Sequence, residues 1–226
     1  VAGGNDRLPR VGCFERKTAG YSRFIRIVQI KLHMKQLHII TPVKDSIELT
    51  LQTIESILAS DFTVPYRYFV YNDFSTEENT ERLREASERL GFELVNLSGL
   101  TEHPSPNYLL ILQTAQEKAI AAEAGLLIVE SDVIVKKHTL QALFDGASDR
   151  PDCGIAAAVT VDEQENINYP YLYAKGKEGQ VFPEKKHLSF CCSLLTLSFL
   201  KTFDFHLLDP SKNWHDVTIS HRSLEK

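Results

Sequence analysis

The chain has 226 residues, 43% hydrophobic and 24% charged, the balance of a soluble globular domain long enough to bury a full core. Disorder, collagen-like repeats and a membrane-spanning run of roughly 18–20 apolar residues are excluded. Four cysteines without a CxxC pair are neither a disulfide scaffold nor a zinc ribbon, and read as the reduced thiols of a cytoplasmic protein.

The net charge of −5 is uneven: residues 1–33 carry seven basic and two acidic side chains, and residues 34–226 carry 18 basic and 28 acidic. The body is therefore a poor wrapper of nucleic acid, which needs a concentrated positive face. Met34, the only methionine, opens the first strand-like run. It reads as the natural start, with residues 1–33 an N-terminal extension, non-native or poorly ordered. The alternative is a basic membrane-surface arm, since Arg23–Ile27 mixes charged and apolar groups. That arm would hold the protein at the cytoplasmic face of a membrane.

From there the elements alternate. Leu37–Ile40 reads as a strand. Asp45 and Glu48 have capping-box spacing before a helical apolar period at Ile47, Leu51, Ile54 and Leu58. Residues 66–71 form a second strand. Ser75 and Glu78 repeat the capping box, and Gly91 closes that helix. Residues 93–97 are a third strand. Ser105-Pro106 starts a helix running to about Ala124 and stopping at Gly125. Leu126–Val129 is a continuous apolar strand of the kind covered on both faces. Leu140, Leu143, Phe144 and Ala147 suggest a further helix, and residues 154–161 a further strand. The fold class is α/β: one mostly parallel central sheet flanked by helices.

In such sheets ligands bind at the carboxyl ends of the strands. No GxGxxG follows the first strand, and there is no P-loop, GxSxG elbow or HExxH. What the strand ends do carry is acid. Glu130-Ser131-Asp132 ends the central strand, and residues i and i+2 of an extended segment point the same way, so two carboxylates can converge on Mn²⁺ or Mg²⁺. A solvated loop is the plainer reading of the same spacing. Asn72-Asp73 ends the second strand, where a carboxylate can hold a ribose or base, or an Asx turn. Near the other terminus, Asp216 in Trp214-His215-Asp216 is a general base or a helix cap. Trp214 is an acceptor-stacking ring or a core residue. Cys191-Cys192 lies in the apolar stretch 188–200 and reads as small buried hydrophobes.

Taken in order these segments resemble glycosyltransferase family 2, with the GT-A fold. The strand and Pro-Val turn are Ile39–Val43. The VDDGSTDNT-type segment is matched by residues 70–80, the DxD-type motif by residues 128–132, and the later acceptor-side segment by Phe203-Asp204 with residues 215–222. The resemblance covers about residues 36–226, assigned here to one GT-A domain, 34–226. It implies an inverting transfer from a nucleoside-diphosphate sugar, UDP first among the candidates, to a hydroxyl of a saccharide, lipid-linked or protein acceptor. It further implies that Thr41, Pro42 and Asp45 lie near the nucleotide and that Asp73 reads the uracil or ribose. Asp132 would hold the metal, with Glu130 at the metal or ribose. Asp216 would be the catalytic base, with Trp214 and His215 on the acceptor side.

The chain departs from the pattern at Asn72, Phe74, Gln116-Glu117, Glu130 and His215. Family members usually continue beyond the base motif, so the resemblance implies a C-terminal truncation. Two alternatives accompany it: a degenerate nucleotide-sugar-binding module, and a sugar-phosphate nucleotidyltransferase, which would want a glycine-rich turn that Thr41–Asp45 lacks.

Overall fold

The computed structural model describes residues 34–185 and 187–225. The expectations for residues 1–33, dispensable extension or membrane arm, lie outside the described residues. Among those described, no helix is long and apolar enough to cross a membrane.

Among the described residues, six strands and six α-helices follow one another as β1 (Leu37–Val43), α1 (Ile47–Leu58), β2 (Tyr66–Asn72), α2 (Glu77–Leu90), β3 (Glu93–Asn96), α3 (Tyr108–Ala121), β4 (Gly125–Val129), α4 (Thr139–Ser148), β5 (Ile155–Ala157), β6 (Cys192–Leu195), α5 (Leu197–Leu200) and α6 (His215–Leu224). The sheet order is β3-β2-β1-β4-β6-β5. The pairs β1·β2, β1·β4 and β2·β3 are parallel, and β6 runs antiparallel to both β4 and β5.

The order reverses between β1 and β4, which makes their carboxyl ends the natural place for a ligand crevice. Every residue of β1 and β4 is buried, because helices cover both faces. Leu37, Ile39 and Val43 pack with Ile54 and Ile57 of α1, Leu83 of α2 and Leu140 of α4. On the other face Ile40, Phe69 and Ile128 pack with Ile111, Leu112 and Ala115 of α3, Leu200 of α5 and Ile219 of α6. Asp216 is thereby carried on the same side as α3.

The α/β reading holds, with several boundaries corrected. β1 runs on to Val43, so Thr41 and Pro42 are buried within the sheet rather than in the turn beyond it. A proline is tolerated there because the ladder to β4 has ended at Ile40. The helix expected from Ser105 starts at Tyr108 and ends at Ala121, after which Glu123 takes a left-handed φ of 52°. Gly125 is not its cap. It opens β4, where a Cβ would stand 2.2 Å from Met34 Sδ and 2.8 Å from Leu37 Cδ2.

The cap of α2 is Thr76, which accepts from the Asn79 N–H at 3.2 Å, and not Ser75. Asp45 does not cap α1. The residue before that helix is Ser46, whose side chain makes no capping bond. Gly91 does close α2, at φ 80°. The strand expected over 154–161 is only Ile155–Ala157, since it is a sheet edge paired on one side alone. The stretch 188–200 contains β6, whose four residues fill the slot between β4 and β5.

Candidate active site

Three loops meet beyond the carboxyl ends of β1, β2 and β3, and a polar network holds them together. Asn72, the last residue of β2, donates through Nδ2 to Thr80 Oγ1 and Asn96 Oδ1, both at 2.9 Å, and accepts the Ser75 N–H at 3.1 Å. An aspartate could not make the two donations, so the departure from the family's acid at this position has a structural reason.

Asp45 accepts from the Thr76 N–H at 2.8 Å and from Asn79 Nδ2 at 3.1 Å. These bonds hold its carboxyl below the usual range. Its own N–H donates to Ser75 Oγ at 2.8 Å. Asp45 thus pins the turn after β1 to the start of α2. Phe74 occupies the family's glycine position and keeps a left-handed φ of 57°, a conformation costing a residue with a Cβ about 1–2 kcal/mol. Its carbonyl accepts from the Lys44 ammonium and its ring packs on the α3-side core.

Asp73, 6% exposed, accepts three bonds: from Ser105 Oγ at 2.7 Å, from the Asn107 N–H at 2.8 Å and from Asn107 Nδ2 at 2.7 Å. It braces the loop that enters α3, and Ser105 serves this bond instead of capping the helix. A carboxylate has about four acceptor positions, so little capacity remains for a ligand. Asp73→Ala strands these donors and is expected to destabilise the fold by about 2–3 kcal/mol in urea denaturation. A change below about 0.5 kcal/mol would mean that the brace is dispensable.

Thr41 also looks inward, its hydroxyl 2.9 Å from the Tyr68 hydroxyl in the core. Of the residues expected near the nucleotide, Thr41 and Pro42 are buried in the sheet, while Asp45 and Asp73 tie loops together.

The acids beyond β4 are different. Glu130 is mostly buried and accepts the Tyr108 hydroxyl at 2.8 Å. Burial pushes its carboxyl up to about 7; the Tyr108 bond opposes the rise, while Asp132 and Asp216 add to it. Among the described residues no basic side chain takes part in these influences. Tyr108 is in turn pushed well up by burial and by Glu130 and Asp216, and the Cys191 thiol by burial, Glu130 and Asp132. Glu130 and Asp132, just beyond β4, and Asp216 of α6 share one electrostatic neighbourhood with Tyr108 and Cys191.

Asp216 is the second residue of α6 and accepts the adjacent Val217 N–H at 2.8 Å through Oδ1. It therefore lies inside the first turn and is not the residue before it. Gln116 of α3 holds the segment that follows α5: its Nε2 donates to the Leu200 and Phe203 carbonyls at 2.9 and 2.6 Å and its Oε1 accepts the Phe205 N–H at 2.8 Å. The departure at Gln116 thus has a structural role, tying α3 to residues 200–205.

Trp214 is 72% exposed, which excludes a core role for it. His215 is buried, with burial lowering its pKa, and lines a cleft of about 590 Å³ with Phe203, Leu208, Thr218 and Arg222. Sequence reasoning missed Tyr108 and the placement of Cys191. Tyr108 was legible in principle, because the first residue of a helix following a parallel strand lies near the sheet's carboxyl edge.

No protein-family model matches the sequence, and no curated protein does. Solved structures do. S. aureus TarS 1-349 aligns with a TM-score of 0.57 at 17% identity, over 84% of this chain and 55% of that one. The same protein in complex with UDP-GlcNAc gives 0.53 at 15%, over 84% and 54%, and in complex with UDP 0.54 at 16%, over 84% and 55%. The chain spans about half the length of those solved chains. With the strand order described above, this likeness gives the chain the GT-A glycosyltransferase fold.

Proposed function

We propose that the chain is a glycosyltransferase that moves a sugar, with inversion, from a nucleoside-diphosphate sugar to an acceptor hydroxyl. The observation that carries this reading is the placement of Glu130 and Asp132 just beyond β4, at the carboxyl edge of a GT-A sheet, with Asp216 of α6 acting on the same buried Glu130 carboxyl. S. aureus TarS, of like fold, is solved with UDP and with UDP-GlcNAc, which supports UDP as the first donor nucleotide to test.

A divalent cation fits this donor set in charge and chemistry. Among the described residues no group of three or more His, Cys, Asp or Glu side chains is arranged to hold a metal. Yet Mg²⁺ and similar cations at such sites use one or two carboxylates plus substrate phosphates. Asp132 and Glu130 would supply the carboxylates. When bound, the cation supplies Lewis-acid neutralisation of the departing diphosphate.

The chain's own residues do the rest. Tyr108 fixes the Glu130 carboxyl. Asp216 keeps one oxygen on the Val217 N–H and offers the other to the acceptor. It takes the hydroxyl proton as that oxygen bonds to the anomeric carbon and the diphosphate leaves with its bonding pair. Trp214, exposed beside Asp216, gives an acceptor sugar a face to stack on. Asp45, Asp73 and Asn72 act indirectly, by holding the loops that frame the donor.

The test is a thermal-shift panel of UDP, GDP, CDP and dTDP, each with and without Mn²⁺. One nucleotide with Mn²⁺ is expected to stabilise the chain by about 2.7 kcal/mol at a hundred times its Kd. Asp132→Ala is expected to lose that shift. A flat panel would overturn the reading, and donor binding without Mn²⁺-dependent donor hydrolysis would leave a degenerate binding module in its place.

A further inference from the structure

At the opposite, amino-terminal ends of the same strands lies a second cleft, of about 360 Å³, lined by His38, Arg67, Phe69, Glu93, Lys118 and Ala121. His38 and Arg67 are register partners on β1 and β2, and Phe69 and Glu93 on β2 and β3. Roughly 17 Å of strand separates His38 from the carboxyl end of β1, so the cleft is no part of the acidic site.

Three features are unusual for a structural corner. First, His38 is 2% exposed, yet neither ring nitrogen has a hydrogen-bond partner among the described residues. An orphaned buried imidazole is costly and calls for an explanation. Second, the Lys118 ammonium makes no ion pair among the described residues. It stands over the Phe69 ring at 5.1 Å and the Tyr71 ring at 5.6 Å. Third, the one carboxylate of the cleft, Glu93, is already occupied by Arg67 through two bonds of 2.8 and 2.7 Å. What remains without a hydrogen-bond or ion-pair partner among the described residues is one ammonium and one imidazole. Phe69, edge-on to His38 at a centroid distance of 5.1 Å, and Ala121 supply apolar walls.

We propose that this cleft binds a small oxyanion, a phosphate or a carboxylate, between the Lys118 ammonium and the His38 imidazole. Donors of this kind, in a partly dehydrated cleft with apolar walls, make charge-assisted bonds that neither group finds within the described protein. The volume falls within the range of small-ligand sites and leaves room for a compact organic body behind the anionic group. The proposal is independent of the transferase reading.

The experiment follows the His38 ring signals by ¹H–¹⁵N correlation in the full chain, the His38→Leu variant identifying them among the eight histidines. Sodium phosphate and sodium acetate are titrated separately, against sodium chloride of matched ionic strength. The expected result is saturable movement with one of the two, which identifies the class of anion, and at least a tenfold loss of that affinity in Lys118→Met. His38→Leu is expected to melt no lower than the parent in chloride, since it removes an orphaned polar group. It is also expected to lose the melting-temperature rise of about 3–6 °C that the anion gives the parent at ten times its Kd. UDP binding with Mn²⁺ is expected to be unchanged in both variants. No saturable movement with either anion, or movement that Lys118→Met leaves intact, overturns the proposal. A His38→Leu variant that melts well below the parent in chloride also does so, because it points to an ordered water already satisfying the ring.

Discussion

Asp216→Asn is expected to slow Mn²⁺-dependent release of UDP from a UDP-sugar by about 10²–10⁴-fold, the usual worth of a general base, while UDP affinity changes by less than about twofold. The substitution separates the two readings of this residue. Asparagine keeps an oxygen to accept the Val217 N–H that Asp216 Oδ1 holds at 2.8 Å, so the first turn of α6 keeps its bond. What it lacks is an atom that can take a proton. Losing a negative charge at a helix start costs about 0.3–1 kcal/mol, and removing one of the two carboxylates that raise Glu130 offsets part of that. Stability should therefore hardly move. Unchanged turnover would place the base elsewhere. A large loss of UDP affinity would make Asp216 a donor-side residue.

The sequence made the fold more legible than the site. Continuous apolar runs such as Leu126–Val129 announce strands covered on both faces, and Gly91 after Leu90 announces a helix end; the structure has both. β6 was not legible, because Cys192–Leu195 is too short to distinguish a strand period from a helical one. The caps failed for a related reason. A capping-box spacing says which side chains could bond the backbone, not which backbone competes for them, and Asp45 and Ser105 both bond to other loops.

At the site, the acids beyond β4 and at the start of α6 were visible as residue types, and the structure brings Glu130, Asp132 and Asp216 into one field. Residue type alone could not show that Asp73 has three donors from the loop entering α3, or that Thr41 turns into the core. Nor could it show that Tyr108, 22 positions from Glu130, donates to it. Those contacts depend on distant segments arriving at the same place, and no local pattern encodes them.

Glu130→Gln should make the protein more stable at pH 8 by up to about 3 kcal/mol, and leave it nearly unchanged near pH 4.5. The sign follows from where the proton sits. In the unfolded chain the carboxyl titrates near its ordinary value of 4.5, and in the fold burial pushes it up to about 7. The native state therefore holds a proton that the unfolded state has released. The stabilisation this gives is fully present below about pH 4.5, declines by about 1.4 kcal/mol per pH unit above it, and is gone once the pH has passed through about 7. Glutamine carries no charge at any pH and still accepts the Tyr108 hydroxyl, so it avoids burying a carboxylate beside Asp132 and Asp216. Urea denaturation of both proteins from pH 4.5 to 8 follows this effect, because titrating groups that do not interact with Glu130 cancel in the difference. A difference independent of pH would show that Glu130 ionises in the fold as it does in water. The same variant should weaken Mn²⁺-dependent UDP binding, since it removes one of the two carboxylates assigned to the cation. Greater stability together with poorer binding is the pattern of a side chain kept for function at a cost to the fold. A Glu130→Gln protein that is more stable and binds UDP with Mn²⁺ as well as the parent would remove Glu130 from the donor site and leave Asp132 as its only carboxylate.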